Sequence, residues 1–369
     1  MTVWSDLVDG RLEAVRTAGR WRSIRALDGG GPVFALDDGR EVVSFASNDY
    51  LGLSQHPVVR SAAVSAIERW GTGSGSARLI VGDRPVHRLL EAELSGWRGC
   101  EATLLFPTGF AANLGVITTL GQPGVLIVSD ELNHASIIDA TRLARAEVAI
   151  ARHRDFDHVA ELVSGHRGPT MVVSETVFSM DGDVAPTAEL AGVCVQHGSL
   201  LVLDEAHGVL GPPAPPMEGL DLIRVGTLSK ALGALGGFAC GSRAVIDLLV
   251  NAARSFIFTT APSPADVAAA RAALKVIRSD EGGALIARLR AHVERIAPGH
   301  PSPIVPVVLG DEQRALDASR TLLDDFGLLV PAIRPPTVAP GTSRLRVALS
   351  AAHTADQVEL LAKALAALA

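Results

Sequence analysis

Long apolar runs, paired cysteines and excess positive charge are all missing from this chain of 369 residues. No apolar stretch reaches the ~20 residues that a membrane-spanning helix needs, and the acidic amino terminus has no apolar signal-peptide core. Its three cysteines, an odd number without paired spacing, favour reduced thiols over disulfides or a metal site. A formal net charge of −7 argues against a nucleic-acid surface. We therefore expect a cytoplasmic protein without membrane, metal or nucleic-acid partners.

Lysine is scarce as well. Only Lys230, Lys275 and Lys363 occur among 33 basic residues, so arginine supplies nearly all of the positive charge. Lys275 and Lys363 lie in helical patterns, where solvent exposure is expected. Lys230 instead lies between an apolar run and a glycine-rich turn, where a charged amine is costly to bury without a partner. An amine in such a place can shift toward its neutral form and act as a nucleophile.

Two apolar runs near Lys230 end in polar groups. The first ends in Asp204-Glu-Ala-His207 and the second in Thr227-Leu-Ser-Lys230. Such runs are typical of buried parallel strands, and open α/β sheets bind ligands at the carboxyl ends of their strands. A carboxylate at a strand end can keep a pyridinium nitrogen protonated, which lets pyridoxal phosphate (PLP) act as an electron sink. The Asp, His and Lys set therefore predicts a PLP site.

From about residue 85 the sequence alternates apolar strands with helices, which predicts an α/β fold. We expect a large domain with a mostly parallel seven-stranded sheet, helices on both of its faces, and a smaller α/β domain after it. The predicted strands of the large domain are 103–106, 124–129, 147–151, 170–175, 199–204, 221–226 and 237–241. The predicted domain boundaries are 1–45 for an amino-terminal helix and hairpin packing with the small domain, 46–255 for the large PLP-binding domain and 256–369 for the small domain.

Outside the large sheet, the pattern predicts a helix over residues 1–27 and a hairpin over 33–45 with Asp38-Gly39 as its two-residue turn. The helices predicted after Lys230 are 243–254, 264–296, 311–326 and 354–369, and the strands are 304–309, 328–330 and 344–349. Gly211–Pro216 predicts an irregular surface loop.

The motifs around Lys230 resemble the signature of the fold-type I PLP enzymes, and specifically of the α-oxoamine synthases. Further motifs follow in that family's order: Ser47-Asn-Asp-Tyr-Leu-Gly52, the glycine-rich Gly71–Gly82 and Ala332-Ile-Arg-Pro-Pro-Thr337. The resemblance covers roughly residues 40 to 350. An alternative for Asp204-Glu-Ala-His207 is a helicase box. It would need a phosphate-binding loop with a Gly-Lys pair, and no lysine follows a glycine in this chain.

The resemblance implies PLP carried by Lys230, with Asp204 paired to the ring nitrogen and His134 stacked on the ring, and these three are the implied catalytic residues. Gly109 and Phe110 open a predicted helix after a strand, so their backbone N–H groups are placed to bind the phosphate. The other cofactor-binding residues implied by the resemblance are Glu175, Ser179, His207, Thr227 and, from across a dimer interface, Thr259.

Four residues are implied to meet the substrates. Arg334 would capture an amino-acid carboxylate through two hydrogen bonds, with Thr337 near the acyl substrate. Asn48 would lie near the carboxylate, although it could be only a turn residue. Arg22 would reach the acyl substrate, although the amino-terminal arginines could equally form a solvated helix face. Two further arginines, Arg344 and Arg346, are predicted to be strand-surface charges.

The implied reaction is a decarboxylative condensation of an amino acid with an acyl thioester. Within the family the chain looks most like the members that join L-alanine to pimeloyl-CoA, or a pimeloyl carrier protein, in biotin synthesis. The alternatives are another α-oxoamine synthase such as glycine C-acetyltransferase, a PLP aminotransferase, or a silent homologue that serves as a binding partner. The resemblance also implies a homodimer with shared active sites.

Overall fold

A computed structural model describes residues 2–210 and 217–368, so the predicted loop at 211–216 lies outside the described residues. Within these ranges the central sheet has seven strands in the order β3-β9-β8-β7-β6-β4-β5. Their bounds are β3 Ala102–Phe106, β4 Leu126–Asp130, β5 Glu147–Ala151, β6 Thr170–Glu175, β7 Leu200–Asp204, β8 Leu222–Thr227 and β9 Gly237–Gly241. Only β9 runs antiparallel to its two neighbours. The predicted mostly parallel sheet and its seven strands are confirmed.

Helices cover both faces of this sheet. In chain order the helices are α1 Val3–Thr17, α2 Pro57–Trp70, α3 Pro85–Arg98, α4 Gly109–Leu120, α5 Ala135–Leu143, α6 Phe156–Ser164, α7 Thr187–His197, α8 Arg243–Ala252, α9 Arg254–Ile257, α10 Pro264–Ile277, α11 Asp280–Ile296, α12 Glu312–Phe326 and α13 Ala355–Ala367. One core layer joins α4, α5 and α8 to the sheet, and the other joins α6 and α7. The inner strands are therefore buried on both faces, which explains their unbroken apolar runs.

Two smaller sheets lie outside the central one in the described residues. The first pairs β10 (Ile304–Gly310), β13 (Ser343–Ala348) and β12 (Ala332–Ile333), all antiparallel. The second pairs the hairpin β1 (Val33–Ala35) and β2 (Glu41–Ser44) with β11 (Leu328–Leu329), which runs parallel to β2. This pairing joins the amino-terminal hairpin to the carboxyl-terminal part of the chain. The three-part domain division stays a prediction.

Three local predictions need correction. The amino-terminal helix ends at Thr17 and not near residue 27, because Gly19 takes a left-handed φ of 64° and the chain then runs irregularly to the hairpin. The hairpin connection is longer than two residues, since Leu36 N–H donates to the Arg40 carbonyl and encloses three. The helix predicted over 264–296 is broken between α10 and α11, around Ser279. Among the described residues, no helix is both long and apolar enough to cross a bilayer.

Candidate active site

A cavity of about 170 Å³ opens at the carboxyl edge of the central sheet. Its wall combines the start of α4, the loop after β4, and the ends of β6, β7 and β8. Eight of the predicted cofactor residues line it: Gly109, Phe110, His134, Glu175, Asp204, His207, Thr227 and Lys230. The first and last of these residues are more than 120 positions apart in the sequence. The parallel strands bring them together because the carboxyl ends of the strands meet at one edge of the sheet.

Lys230 lies half-buried in the turn that follows β8. Its carbonyl accepts a hydrogen bond from Gly233 N–H at 2.9 Å, and Gly233 takes a left-handed φ of 62°. Burial lowers the pKa of the Lys230 amine, against the opposing charges of Asp204 and Glu175, and the Arg346 guanidinium lowers it further. A lowered pKa increases the fraction of the amine that is neutral, and therefore nucleophilic, at a given pH.

Asp204 ends β7 and is held by two donors. Its Oδ2 accepts from Asn113 Nδ2 at 2.7 Å and its Oδ1 from Ala206 N–H at 2.9 Å. Asn113 also donates to Ser136 Oγ at 2.9 Å, which links the carboxylate to the loop that carries His134. No role for Asn113 is predicted from the sequence. The available signal is its position one turn into a helix that follows a strand, which places its side chain near the carboxyl edge of the sheet.

His134 caps α5 through its ring. Its Nδ1 accepts the Ser136 N–H at 3.2 Å and lies 2.8 Å from Ser136 Oγ. Since an accepting Nδ1 carries no proton, the neutral ring has its proton on Nε2. Burial lowers the pKa of His134, which favours this neutral form. A neutral ring at the cavity wall can stack on a flat ligand.

Glu175 and His207 lie deepest in the site. Burial raises the pKa of Glu175 well above its ordinary value, and the charge of Asp204 raises it further. Burial also lowers the pKa of His207 well below its usual range. His207 Nδ1 lies 2.6 Å from the hydroxyl of Tyr50, which is 3.1 Å from Asn48 Oδ1. With Nδ1 engaged, Nε2 is left for a ligand in the cavity.

Arg344 and Arg346 contradict the sequence prediction, because both are buried, at 6% and 5% exposed. Arg346 donates from Nε to the Ser179 carbonyl at 2.6 Å and from a terminal nitrogen to Asn48 Oδ1 at 3.2 Å. Arg344 pairs with Asp181. Residues two apart on a strand share a face, and this face of β13 packs on the loop that carries Ser179. The sequence signal for this shared face is the spacing of the two arginines, which lie two residues apart in a strand.

The structure does not bring every predicted residue to the cavity. The Arg334 guanidinium donates to the carbonyl of Gly19 at 2.6 Å and to that of Trp21 at 3.4 Å. It thereby holds the irregular segment after α1. Six predicted site residues do not line the cavity among the described residues: Arg22, Asn48, Ser179, Thr259, Arg334 and Thr337. Arg346 does not line it either, and Arg22 and Thr337 are exposed. Their roles stay predictions.

The donor set of the cavity fits a flat cofactor with an anionic end, as the resemblance implies for PLP. Thr108 caps α4 by accepting the Ala111 and Ala112 N–H groups, so the first two N–H groups of the helix are available for an anion. Gly237 leaves space beside them, because a Cβ there would collide with the Thr108 carbonyl. Buried Oε1 of Glu175 and Oδ1 of Asn113 have no hydrogen-bond partner among the described residues, as expected where a polar ligand belongs.

Comparisons with known proteins match the whole of this architecture. The family model described as aminotransferase class I and II matches residues 40–365. An 8-amino-7-oxononanoate synthase from Anaeromyxobacter dehalogenans is 47% identical, over 98% of this chain and 95% of its own. A serine palmitoyltransferase from S. paucimobilis with a bound PLP–myriocin aldimine superposes with a TM-score of 0.90 at 27% identity, over 100% of this chain and 98% of its own. An 8-amino-7-oxononanoate synthase from Francisella tularensis superposes with a TM-score of 0.74 at 27% identity, over 90% and 97%.

Proposed function

Because the chain belongs to the 8-amino-7-oxononanoate synthase family, within the class I and II aminotransferases, we propose that it uses PLP to condense L-alanine with a pimeloyl thioester. The products are 8-amino-7-oxononanoate, carbon dioxide and the free thiol, coenzyme A or a carrier protein. One observation carries the proposal: a half-buried lysine, a strand-end carboxylate and the first residues of a helix line the same cavity, and the pKa of that lysine is lowered by burial.

The residues divide the work of holding the cofactor. The N–H groups of Gly109 and Phe110 would bind the phosphate, helped by the partial positive charge of the helix terminus. Asp204, whose carboxylate is oriented by two N–H donors, would pair with the ring nitrogen. His134 would stack on the ring, and His207 would offer its Nε2 to the ring's oxygen. When bound, PLP supplies an electron sink for the α-carbon of the amino acid.

Lys230 is the residue that we propose to transfer the α-proton of L-alanine. Its lowered pKa supplies a neutral amine that can take the α-proton of L-alanine at Nζ. The amine lies among the charges of Asp204, Glu175 and Arg346, so its proton affinity depends on which ligand is present.

We propose Arg346, in place of Arg334, as the residue that binds the alanine carboxylate. The charge of Arg346 acts on both Lys230 and His207, whereas the Arg334 guanidinium is engaged by backbone carbonyls of the amino-terminal segment. Asn48 holds one nitrogen of Arg346 and therefore orients it. A guanidinium fixed at one edge can present its other edge to a carboxylate.

We also propose that the enzyme is a homodimer with shared active sites. A one-turn π-helix at Arg78–Gly82 exposes Leu79, Ile80 and Val81, by 50%, 73% and 68%. Phe258, next to Thr259, is 69% exposed. Adjacent exposed apolar side chains mark an interface more often than solvent-facing surface. A cytoplasmic location stays a prediction of the sequence.

The test is an absorbance spectrum of the purified protein loaded with PLP, followed by L-alanine and then pimeloyl-CoA while free thiol is measured. We expect a visible band that shifts with L-alanine and thiol release only when both substrates are present. Thiol release with glycine and acetyl-CoA in their place would move the protein to a sister activity. Absence of any visible band after PLP addition would overturn the proposal.

A further inference from the structure

His153 lies between two carboxylates, Asp130 and Asp183, that do not themselves line the cavity. Its Nδ1 is 2.9 Å from Asp130 Oδ1 and its Nε2 is 2.9 Å from Asp183 Oδ2. An ionised carboxylate only accepts hydrogen bonds, so both ring nitrogens must donate and the ring must be an imidazolium. Burial alone would lower the pKa of His153, but the hydrogen bonds to the two carboxylates outweigh it and raise the pKa to about 9.

The two carboxylates belong to different loops of the candidate site. Asp130 ends β4, and the chain reaches His134 four residues later. Asp183 closes the tight loop 177–184, which carries Ser179 and is fastened by a bridge between Val177 and Val184. The imidazolium ring therefore joins the loop of the predicted stacking residue to the loop of a predicted cofactor ligand. Its ring also contacts Phe178 edge-on, with centroids 4.4 Å apart.

Arg154 reinforces the same junction in an unusual backbone conformation. It is the one residue other than glycine with a positive φ, 58°, in the described part of the chain. Its N–H donates to Asp130 Oδ2 at 2.8 Å and its guanidinium to Asp183 Oδ2 at 3.2 Å. A left-handed conformation at a side chain of this size is unfavourable and persists only where the surroundings impose it. Here both carboxylates impose it.

The loop 177–184 is held from its other side by the arginines of β13. Arg346 donates to the Ser179 carbonyl and Arg344 pairs with Asp181. A side chain at Gly182 would collide with the Ile304 carbonyl of β10, so the loop packs directly on the small sheet. The position of Ser179 therefore depends on contacts from two sheets, and His153 supplies the contact from the large one.

We propose that His153 is a positioning residue whose imidazolium cross-links the loops of His134 and Ser179 and thereby prepares the cavity for the cofactor. The inference rests on the proposed function for the roles of Ser179 and His134, but the cross-link itself does not depend on it. The charged groups around the ring are Asp130, Asp183 and Arg154, with Glu131 accepting the backbone N–H of His153 at 2.8 Å.

The cross-link predicts a pH dependence with a defined sign. The folded-state pKa of His153 is raised above the ~6.5 of an unfolded histidine. Its contribution to stability is therefore complete below pH ~6.5 and is lost as the pH rises through about 9. Against the effect of burial, the hydrogen bond from the His153 ring holds the pKa of Asp183 below its ordinary value, so that carboxylate keeps its charge in this window.

The experiment compares His153→Gln with His166→Gln. A glutamine side chain is neutral and cannot donate to both carboxylates, whereas His166 makes a single hydrogen bond to the Gly124 carbonyl at the opposite edge of the sheet. For the apo proteins, we expect the melting temperature of His153→Gln to lie furthest below that of wild type near pH 6, and the gap to shrink above pH 9. In absorbance titrations, we expect PLP to bind about tenfold more weakly to His153→Gln, as for loss of one charge-assisted hydrogen bond, and unchanged to His166→Gln.

PLP affinity equal to wild type in a folded His153→Gln would overturn the inference, and so would a melting-temperature gap that does not change with pH. Failure of the wild type to bind PLP would instead count against the proposed function, while the apo measurements would still decide the cross-link. If His153→Gln does not fold, Asp183→Asn replaces it in the experiment, and we expect this variant also to bind PLP more weakly than wild type does. An NMR titration of wild-type His153 with a pKa near 6.5 would also overturn the cross-link.

Discussion

Burial controls the ionisable residues of the candidate site. It lowers the pKa of Lys230, His134 and His207 and raises that of Glu175. Each shift favours the neutral form, because an uncompensated charge in a cavity of this kind is costly. The neutral forms are also the chemically useful ones: an amine that can attack, a ring that can stack and an Nε2 that can hydrogen-bond.

Replacing Lys230 with alanine should remove the visible band of the PLP-loaded enzyme. Turnover should fall by about 10²–10⁴-fold or more, since the chain then lacks its proton-transfer group. The matched control is Lys275→Ala, at an exposed position on α10, which should keep both properties. Spectra and thiol-release assays on the two variants test this, and a Lys230→Ala variant with the wild-type band would contradict the assignment.

Arg346 and Arg334 can be separated by the same conservative change. Arg346→Lys should raise the KM for L-alanine about tenfold or more, because an ammonium cannot hold Asn48, the Ser179 carbonyl and a carboxylate together. Arg334→Lys should act mainly on the amino-terminal segment whose carbonyls it holds. Steady-state kinetics with varied L-alanine decide the question. A larger KM effect at Arg334 would restore the prediction made from the sequence.

At the scale of elements, the site depends on how α4 meets the central sheet. Helix α4 begins at Gly109 because Thr108 caps it, and its start lies against β8 and β9. Gly237, the first residue of β9, approaches the Thr108 backbone so closely that no side chain fits. The antiparallel β9 therefore brings a glycine to the point where the parallel strands present their ligand-binding ends.

Gly237→Ala should move the start of α4. Its Cβ would collide with the carbonyl of Thr108 and the nitrogen of Gly109, so we expect a loss of about 1–3 kcal/mol in the free energy of unfolding and weaker PLP binding. Gly192→Ala is the control, because no atom lies near the added Cβ in α7 and alanine favours helices. Denaturant unfolding and PLP titration of both variants test the idea, and equal behaviour would contradict it.

At the scale of the whole molecule, the chain brings distant segments to one place. The loop 177–184 contacts β13 through the hydrogen bond from Arg346 to the Ser179 carbonyl. It contacts the segment after β5 through the hydrogen bond between His153 and Asp183. The hairpin of β1 and β2 pairs with β11, nearly 300 residues later. The loop that carries Ser179 therefore lies where the large sheet and the carboxyl-terminal part of the chain meet, and the arginine proposed to bind the substrate carboxylate comes from the latter.

A charge on the exposed apolar segment 79–81 should weaken the proposed dimer. Ile80→Asp places a carboxylate in a patch where Ile80 is 73% exposed, whereas Leu143→Asp does so at a similar exposure, 67%, on α5. We expect sedimentation equilibrium to show a higher dissociation constant for Ile80→Asp only, because a buried, unpaired charge opposes association. A wild-type protein that is monomeric at micromolar concentration would contradict the dimer.

Most of the fold, and eight of the residues that line the cavity, could be predicted from the sequence. Each strand end carries its polar group within a few residues of an apolar run, as in Asp204 and Lys230, so a local pattern identifies both the strand and its ligand-binding end. The burial of Arg346 could not be predicted in this way. Arg346 meets Ser179 and Asn48 across separations of 167 and 298 residues, and no local pattern reports such contacts.

By itself, the sequence determined the order of strands and helices, the residues at the strand ends and the family to which the chain belongs. These follow from short-range periodicity and from residue types that only one chemistry requires together. Only the tertiary structure decided that Arg346 is buried against the loop that carries Ser179, where α1 ends, and that His153 lies between Asp130 and Asp183. The reason is physical: burial and long-range ion pairing depend on how elements pack, and arginine or histidine can occupy either a surface or a core until that packing is known.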